Sequence, residues 1–155
     1  MDGEFDRAAA PGTARALNAY IDSSVLLRVV LGEPGSLPSW GLIDQALSSE
    51  LIRLECLRTI DRARVQLRLG DDAVSRQRAD VLEAIDSLSL IPLTRLVLER
   101  AADPFPTLVG SLDAIHLASA MLVREQYDEL FFATHDQELA VAARAMGLPV
   151  AGVST

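Results

Sequence analysis

Four acidic residues stand where a chain of this kind could gather them. Asp22 ends Leu17-Asn18-Ala19-Tyr20-Ile21-Asp22 and is followed by Ser23-Ser24; Glu55 lies in a long run without Gly or Pro; Asp113 lies in Ser111-Leu112-Asp113-Ala114-Ile115-His116; Asp136 ends Ala133-Thr134-His135-Asp136. Asp22 and Asp136 each close a short apolar run and precede a helical pattern, so each reads as strand, turn, helix. In an open parallel sheet such turns lie at the carboxyl ends of strands, where ligands bind. Read singly, each aspartate is an ordinary helix-start residue favoured by the dipole, and Glu55 could pair locally with Arg58 for a few tenths of a kcal/mol. Brought together, four carboxylates would repel and raise one another's pKa values unless a cation offset the charge. Mg²⁺ and Mn²⁺ are hard ions that take oxygen ligands, and Mg²⁺ keeps several waters. With one or two such ions a water could be activated for in-line attack on a phosphodiester and the leaving oxygen stabilised. No cluster of Cys or His offers zinc a better site.

The elements that must position these acids alternate between strand and helix. Strands are expected near 17–21, 47–49, 89–92, 130–134 and 148–150, the last an edge strand because of Pro149. Between them fall a helix starting at the serine pair, with Ser23 or Ser24 as its cap, and a turn cluster at Gly32-Glu33-Pro34-Gly35-Ser36. A short helix is expected from Pro38 through Ala46, with Trp40 as a packing residue, then a long helix from Glu50 to Leu69 and another from Asp71 to near Leu88. The helix over Thr94 to Ala102 stops at Asp103-Pro104-Phe105-Pro106, Ser111 is expected to cap the next, and Gly147 to close the helix Gln137 to Met146. Such alternation predicts an α/β fold with a parallel sheet covered on both faces. His116, one histidine on a mostly apolar helix, is read as structural and left outside the site.

Of the 155 residues half are apolar, which suits a single domain over 17–155 preceded by a flexible tail at 1–16. No apolar stretch approaches the roughly 18 residues of a membrane span, and the N-terminus lacks the order of a signal peptide, so a cytoplasmic protein without membrane attachment is expected. Cys56, the one cysteine, sits between Leu54 and Leu57 and reads as core. The net charge of −8 works against long-range attraction of nucleic acid and favours basic partners or a site with its own cations. There is no lysine, and seven arginines fall between Arg53 and Arg78, a run more often a solvated face than a recognition surface. Arg62 shares a helical stripe with Glu55, Thr59 and Gln66.

Tyr20-Ile21-Asp22-Ser23-Ser24, Ser48-Ser49 leading to Glu55, Leu112-Asp113-Ala114-Ile115-His116-Leu117-Ala118, and Thr134-His135-Asp136 with Leu139 resemble the PIN-domain ribonucleases, and among these the VapC-type toxins of bacterial toxin–antitoxin pairs. The resemblance runs from about residue 17 to the end, with all four motifs in family order. It implies a three-layer fold on about five parallel strands and RNA cleavage by Mg²⁺ or Mn²⁺ held by Asp22, Glu55, Asp113 and Asp136. Asp136 would be the most dispensable member, and Thr134 would support the site by hydrogen bonding. It further implies homodimers or toxin–antitoxin hetero-oligomers, with a VapB-type antitoxin that inserts a basic side chain among the acids. On that reading Arg62 would contact substrate phosphate. With one Trp, two Tyr and four Phe, extended base stacking is not expected. Among rivals, a receiver domain of a phosphorelay, or a haloacid-dehalogenase-type phosphatase, would want a lysine that the chain lacks. A non-catalytic binding module with the same fold would not need four acids.

Overall fold

The structure, a computed structural model, describes residues 15–154. Most of the expected tail therefore lies outside the described residues; Arg15 and Ala16 are exposed coil. Among the described residues five strands form one sheet: β1 (Asn18–Ile21), β2 (Gln45–Ser49), β3 (Ser89–Ile91), β4 (Leu130–Ala133) and β5 (Val150–Ala151). Their order is β3-β2-β1-β4-β5, and every neighbouring pair is parallel. The chain builds outward from β1 to β3, then crosses back to add β4 on the other side of β1. The switch in direction therefore lies between β1 and β4, the crevice where open α/β sheets bind ligands.

Among the described residues six helices flank the sheet: α1 (Ser23–Val30), α2 (Leu51–Gln66), α3 (Asp71–Asp86), α4 (Arg95–Ala102), α5 (Ser111–Val123) and α6 (Gln137–Ala145). Side chains alternate along a strand, and β1 shows how this assigns the layers. Ala19 and Ile21 point into a core with Val25 and Leu26 of α1, Ile52 and Ile60 of α2, and Val81 and Ile85 of α3. Tyr20 points the other way, into a core with Phe132, Leu117 of α5 and Leu139 and Ala142 of α6. Three layers result, and α4 packs on α5 as an outer element. Cys56 is fully buried in the first core, and burial, reinforced by Glu55, pushes its thiol up to about 12, so it is packing. Trp40 packs against the same core.

The helix expected from Pro38 through Ala46 does not form. Only the 3-10 turn Trp40–Leu42 does, and β2 begins at Gln45. The amides of Asp44 and Gln45 donate to Leu17 O, and the Asp44 carboxylate accepts from the Leu17 amide, so tertiary pairing pulls this stretch into extended structure. The long helix also ends earlier than expected, at Gln66, where Arg68 takes φ +50. Among the described residues no helix is long and apolar enough to cross a membrane.

Candidate active site

At the carboxyl edge of β1, the Asp22 amide continues the pairing with β4 by donating to Ala133 O at 3.0 Å. Asp22 takes the N-cap position of α1, yet its side chain makes no capping bond. Its Oδ2 instead accepts from Ser24 Oγ at 2.6 Å and from Thr134 Oγ1 at 2.9 Å. The serine cap expected for α1 is thus corrected: Ser24 spends its hydroxyl proton on Asp22, while its oxygen accepts from the His135 amide at 3.0 Å. Thr134 is fully buried and holds both turns, because its Oγ1 also accepts from the Asp136 amide at 3.0 Å. Below it, Gly152 stands at φ +102, and a Cβ there would lie 2.4 Å from Thr134 O; its carbonyl accepts from His135 Nδ1 at 2.6 Å.

Glu55 comes from the second turn of α2 and is bonded to Nε2 of His116. The alternative of a local Glu55 to Arg58 pair is not realised: Arg58 pairs with Asp61 at 2.8 Å. His116 must be moved into the site. Its ring is wholly buried, Nε2 lies 3.8 Å from Asp22 Oδ1, and Nδ1 lies 2.7 Å from the Tyr20 hydroxyl. Burial alone would lower the pKa of this imidazole, but the Glu55 hydrogen bond and the charges of Glu55, Asp22 and Asp113 outweigh it and hold the value above the ordinary one. As an imidazolium, His116 donates from both ring nitrogens, to Glu55 and to the phenol oxygen of Tyr20. Burial pushes the Tyr20 hydroxyl far up, so it stays neutral and serves as a fixed partner. One signal was present in the sequence: His116 follows Asp113 by three residues and so shares its helix face.

Asp113 lies in the first turn of α5, whose cap position belongs to Gly110 and not to Ser111 as expected. Asp113 makes no hydrogen bond among the described residues. Its pKa is raised to about 6, first by burial, then by the charges of Asp22 and Asp136, with a smaller push from Glu55 and relief from His116. The charges of Asp22, Glu55 and Asp136, drawn from distant parts of the chain, are therefore all felt at Asp113. Asp136 is the exposed member, and its Oδ1 caps α6 by accepting from the amides of Glu138 and Leu139 at 2.8 and 3.1 Å.

Asp22, Glu55 and Asp136 each tie one oxygen to the protein and leave Oδ1, Oε2 and Oδ2 without a hydrogen bond among the described residues. Among those residues no group of three or more His, Cys, Asp or Glu side chains is arranged, as it stands, to hold a metal ion. An all-oxygen donor set, uncompensated negative charge and free carboxylate oxygens fit an ion that keeps most of its waters, as Mg²⁺ does, and not one that needs a complete protein cage. Arg62, on the Glu55 stripe, lines a cleft of about 470 Å³ together with Glu55 and Ser23.

Residues 19–145 match the family model described as PIN domain. The chain is 32% identical over 134 residues to "Ribonuclease VapC47" of Mycobacterium tuberculosis (strain CDC 1551 / Oshkosh), an alignment covering 85% of this chain and 94% of that relative. It is 29% identical over 131 residues to "Ribonuclease VapC46" of Mycobacterium tuberculosis (strain ATCC 25618 / H37Rv), covering 84% and 94%. The fold is similar to the crystal structure of PAE2754 from Pyrobaculum aerophilum, with a TM-score of 0.55 and 15% identity over 86% of this chain and 83% of the other.

Proposed function

Because this chain belongs to the PIN-domain family and, within it, groups with VapC-type relatives, we propose that it is a metal-dependent endoribonuclease that acts as the toxin of a type II toxin–antitoxin pair. The observation that carries this reading is that the charges of Asp22, Asp136 and Glu55 all act on Asp113, beside the crevice between β1 and β4. These four acids would hold Mg²⁺ or Mn²⁺, which when bound would supply an activated water and charge neutralisation at the phosphodiester.

The chain's own groups do the positioning. Ser24 and Thr134 fix the Asp22 carboxylate, so one oxygen faces the protein and the other the crevice. His116, braced by Tyr20, holds Glu55 in one orientation across from Asp22. Thr134 is thus the supporting residue, and Arg62, without an acidic partner within 4 Å among the described residues, would meet backbone phosphate. A cytoplasmic VapB-type antitoxin would restrain the enzyme by offering a cation to the same acids, and the assembly would be a homodimer or a toxin–antitoxin hetero-oligomer.

Incubating total bacterial RNA with the purified chain tests this, with Mg²⁺ or Mn²⁺, with EDTA, and with Asp22→Asn. Discrete fragments that require both metal and Asp22 are expected. Folded, antitoxin-free protein that binds metal and leaves RNA intact would make the chain a binding module instead.

A further inference from the structure

The cleft beside Glu55 has features that metal-assisted hydrolysis does not need. Its walls come from three elements: Leu54, Glu55, Arg58, Thr59 and Arg62 from α2, Leu112 from the start of α5, and Ser23 from the start of α1. Leu54 and Leu112 are 57% and 48% exposed, large apolar side chains placed at the mouth of a charged centre. Arg62 Nη2 donates to Thr59 Oγ1 at 3.1 Å, a bond that aims the guanidinium without neutralising it. By contrast, Arg58, Arg64 and Arg95 each pair with a carboxylate.

We infer that this cleft is a nucleotide subsite that selects the base next to the cleaved bond, with the phosphate on Arg62 and the base between Leu54 and Leu112. The inference rests on the nuclease reading and adds to it the source of sequence preference. Arg62 is seven residues beyond Glu55, about 10 Å along the helix. A free anion arriving there would feel the repulsion of the acids, whereas a strand already held at them carries its next phosphates along covalently. Apolar side chains offer a base contact area and hold the base at one angle to the cleft wall, without which polar groups cannot tell one base from another. Discrimination would come from hydroxyls: Thr59 Oγ1 accepts from Arg62 and keeps its proton to donate, and Ser23 lines the same wall. A subsite of this make needs no aromatic platform, which suits a chain with so few aromatic residues.

Two measurements test the subsite separately from the nuclease. In the first, a random oligoribonucleotide pool is cut and the ends sequenced for wild type, Leu54→Ala, Leu112→Ala, Arg62→Ala and a control, Val65→Ala, on the same helix but outside the cleft. We expect base preference beside the cut to weaken by about fivefold or more in both leucine variants, with new sites appearing. For Arg62→Ala, RNA binding should weaken about tenfold and its salt slope fall by about one, the signature of one lost phosphate contact. Val65→Ala should cut as wild type does. Unchanged preference in the leucine variants overturns the inference. The leucines are exposed, so these variants should fold, and melting curves check that they do.

In the second, methyl resonances of Leu54 and Leu112 are followed while short single-stranded RNA is added in EDTA, where no cleavage occurs. Shifts at these methyls support the subsite even if the chain proves unable to cut RNA. Cleavage without such shifts overturns the subsite and leaves the nuclease standing. Neither cleavage nor shifts overturns both.

Discussion

The turns after β1 and β4 share one sequence pattern, an apolar strand, an aspartate and a helix, yet the two aspartates do different work. Asp136 behaves as a helix-start residue should: it is exposed, and one oxygen caps two amides of α6. Asp22 occupies the same position before α1 but caps nothing, is buried, and accepts two hydroxyl hydrogen bonds. Asp22 is thus kept from the local use and held by Ser24 and Thr134, with its other oxygen accepting no hydrogen bond among the described residues. On the proposed reading, Asp136, already committed to capping α6, is the acid that would matter least to the chemistry.

The sharpest way to break this comparison is to neutralise the first aspartate. Asp22→Asn should lower cleavage by at least about 10³-fold while leaving the protein folded, because several kcal/mol of charge stabilisation would be lost; a loss of tenfold or less would demote Asp22. Thr134→Val keeps the shape and removes the hydroxyl that serves both turns, so activity should fall about 10- to 100-fold. Melting of this variant should also show about 1–3 kcal/mol of destabilisation, since the buried Asp22 carboxylate loses a donor and the Asp136 amide loses its acceptor. At Asp136 the two roles separate by choice of residue. Asp136→Ala should cost about 1 kcal/mol by loss of the cap, and Asp136→Asn should restore most of that stability. If Asp136→Asn were as inactive as Asp22→Asn, the two turns would be catalytically equal.

Asp113 gives the smallest and most specific effect. Its folded pKa lies above the unfolded value, so between about pH 4 and pH 6 the native state holds more protons than the unfolded state, and stability falls as pH rises through that window. In EDTA, Asp113→Asn should therefore raise Tm by a few degrees above about pH 6. The gain should vanish near about pH 4, where both states are protonated. A thermal scan across pH checks this, and a gain independent of pH would point to packing instead.

Much of this molecule was legible in its sequence because the signals were local. Apolar runs ending in aspartate marked β1 and β4, and the breaks at Gly70 and at Asp103-Pro104 bounded the helices close to where they end. What stayed hidden depends on partners far along the chain. His116 meets Tyr20 and Glu55, 96 and 61 residues away, so its apolar helix gave a reason to dismiss it and none to place it. The segment after Pro38 carried a short helical pattern, but Leu17 draws its end into the sheet. Ser24 looked like a cap because capping is the commonest use of a serine there; its actual acceptor is the residue two before it.

The placement of β1 also governs when the acidic centre can come into being. The first strand synthesised is the middle of the finished sheet, and the bond from Thr134 to Asp22 spans 112 residues. A chain still lacking β4 already carries Asp22, Glu55 and Asp113, but β1 has only one of its two neighbours and Asp22 has no Thr134. At about 5–20 residues per second, several seconds pass on the ribosome between the making of the first acid and of its last support. The acidic centre thus takes its final form only once β4 has been made and has paired with β1.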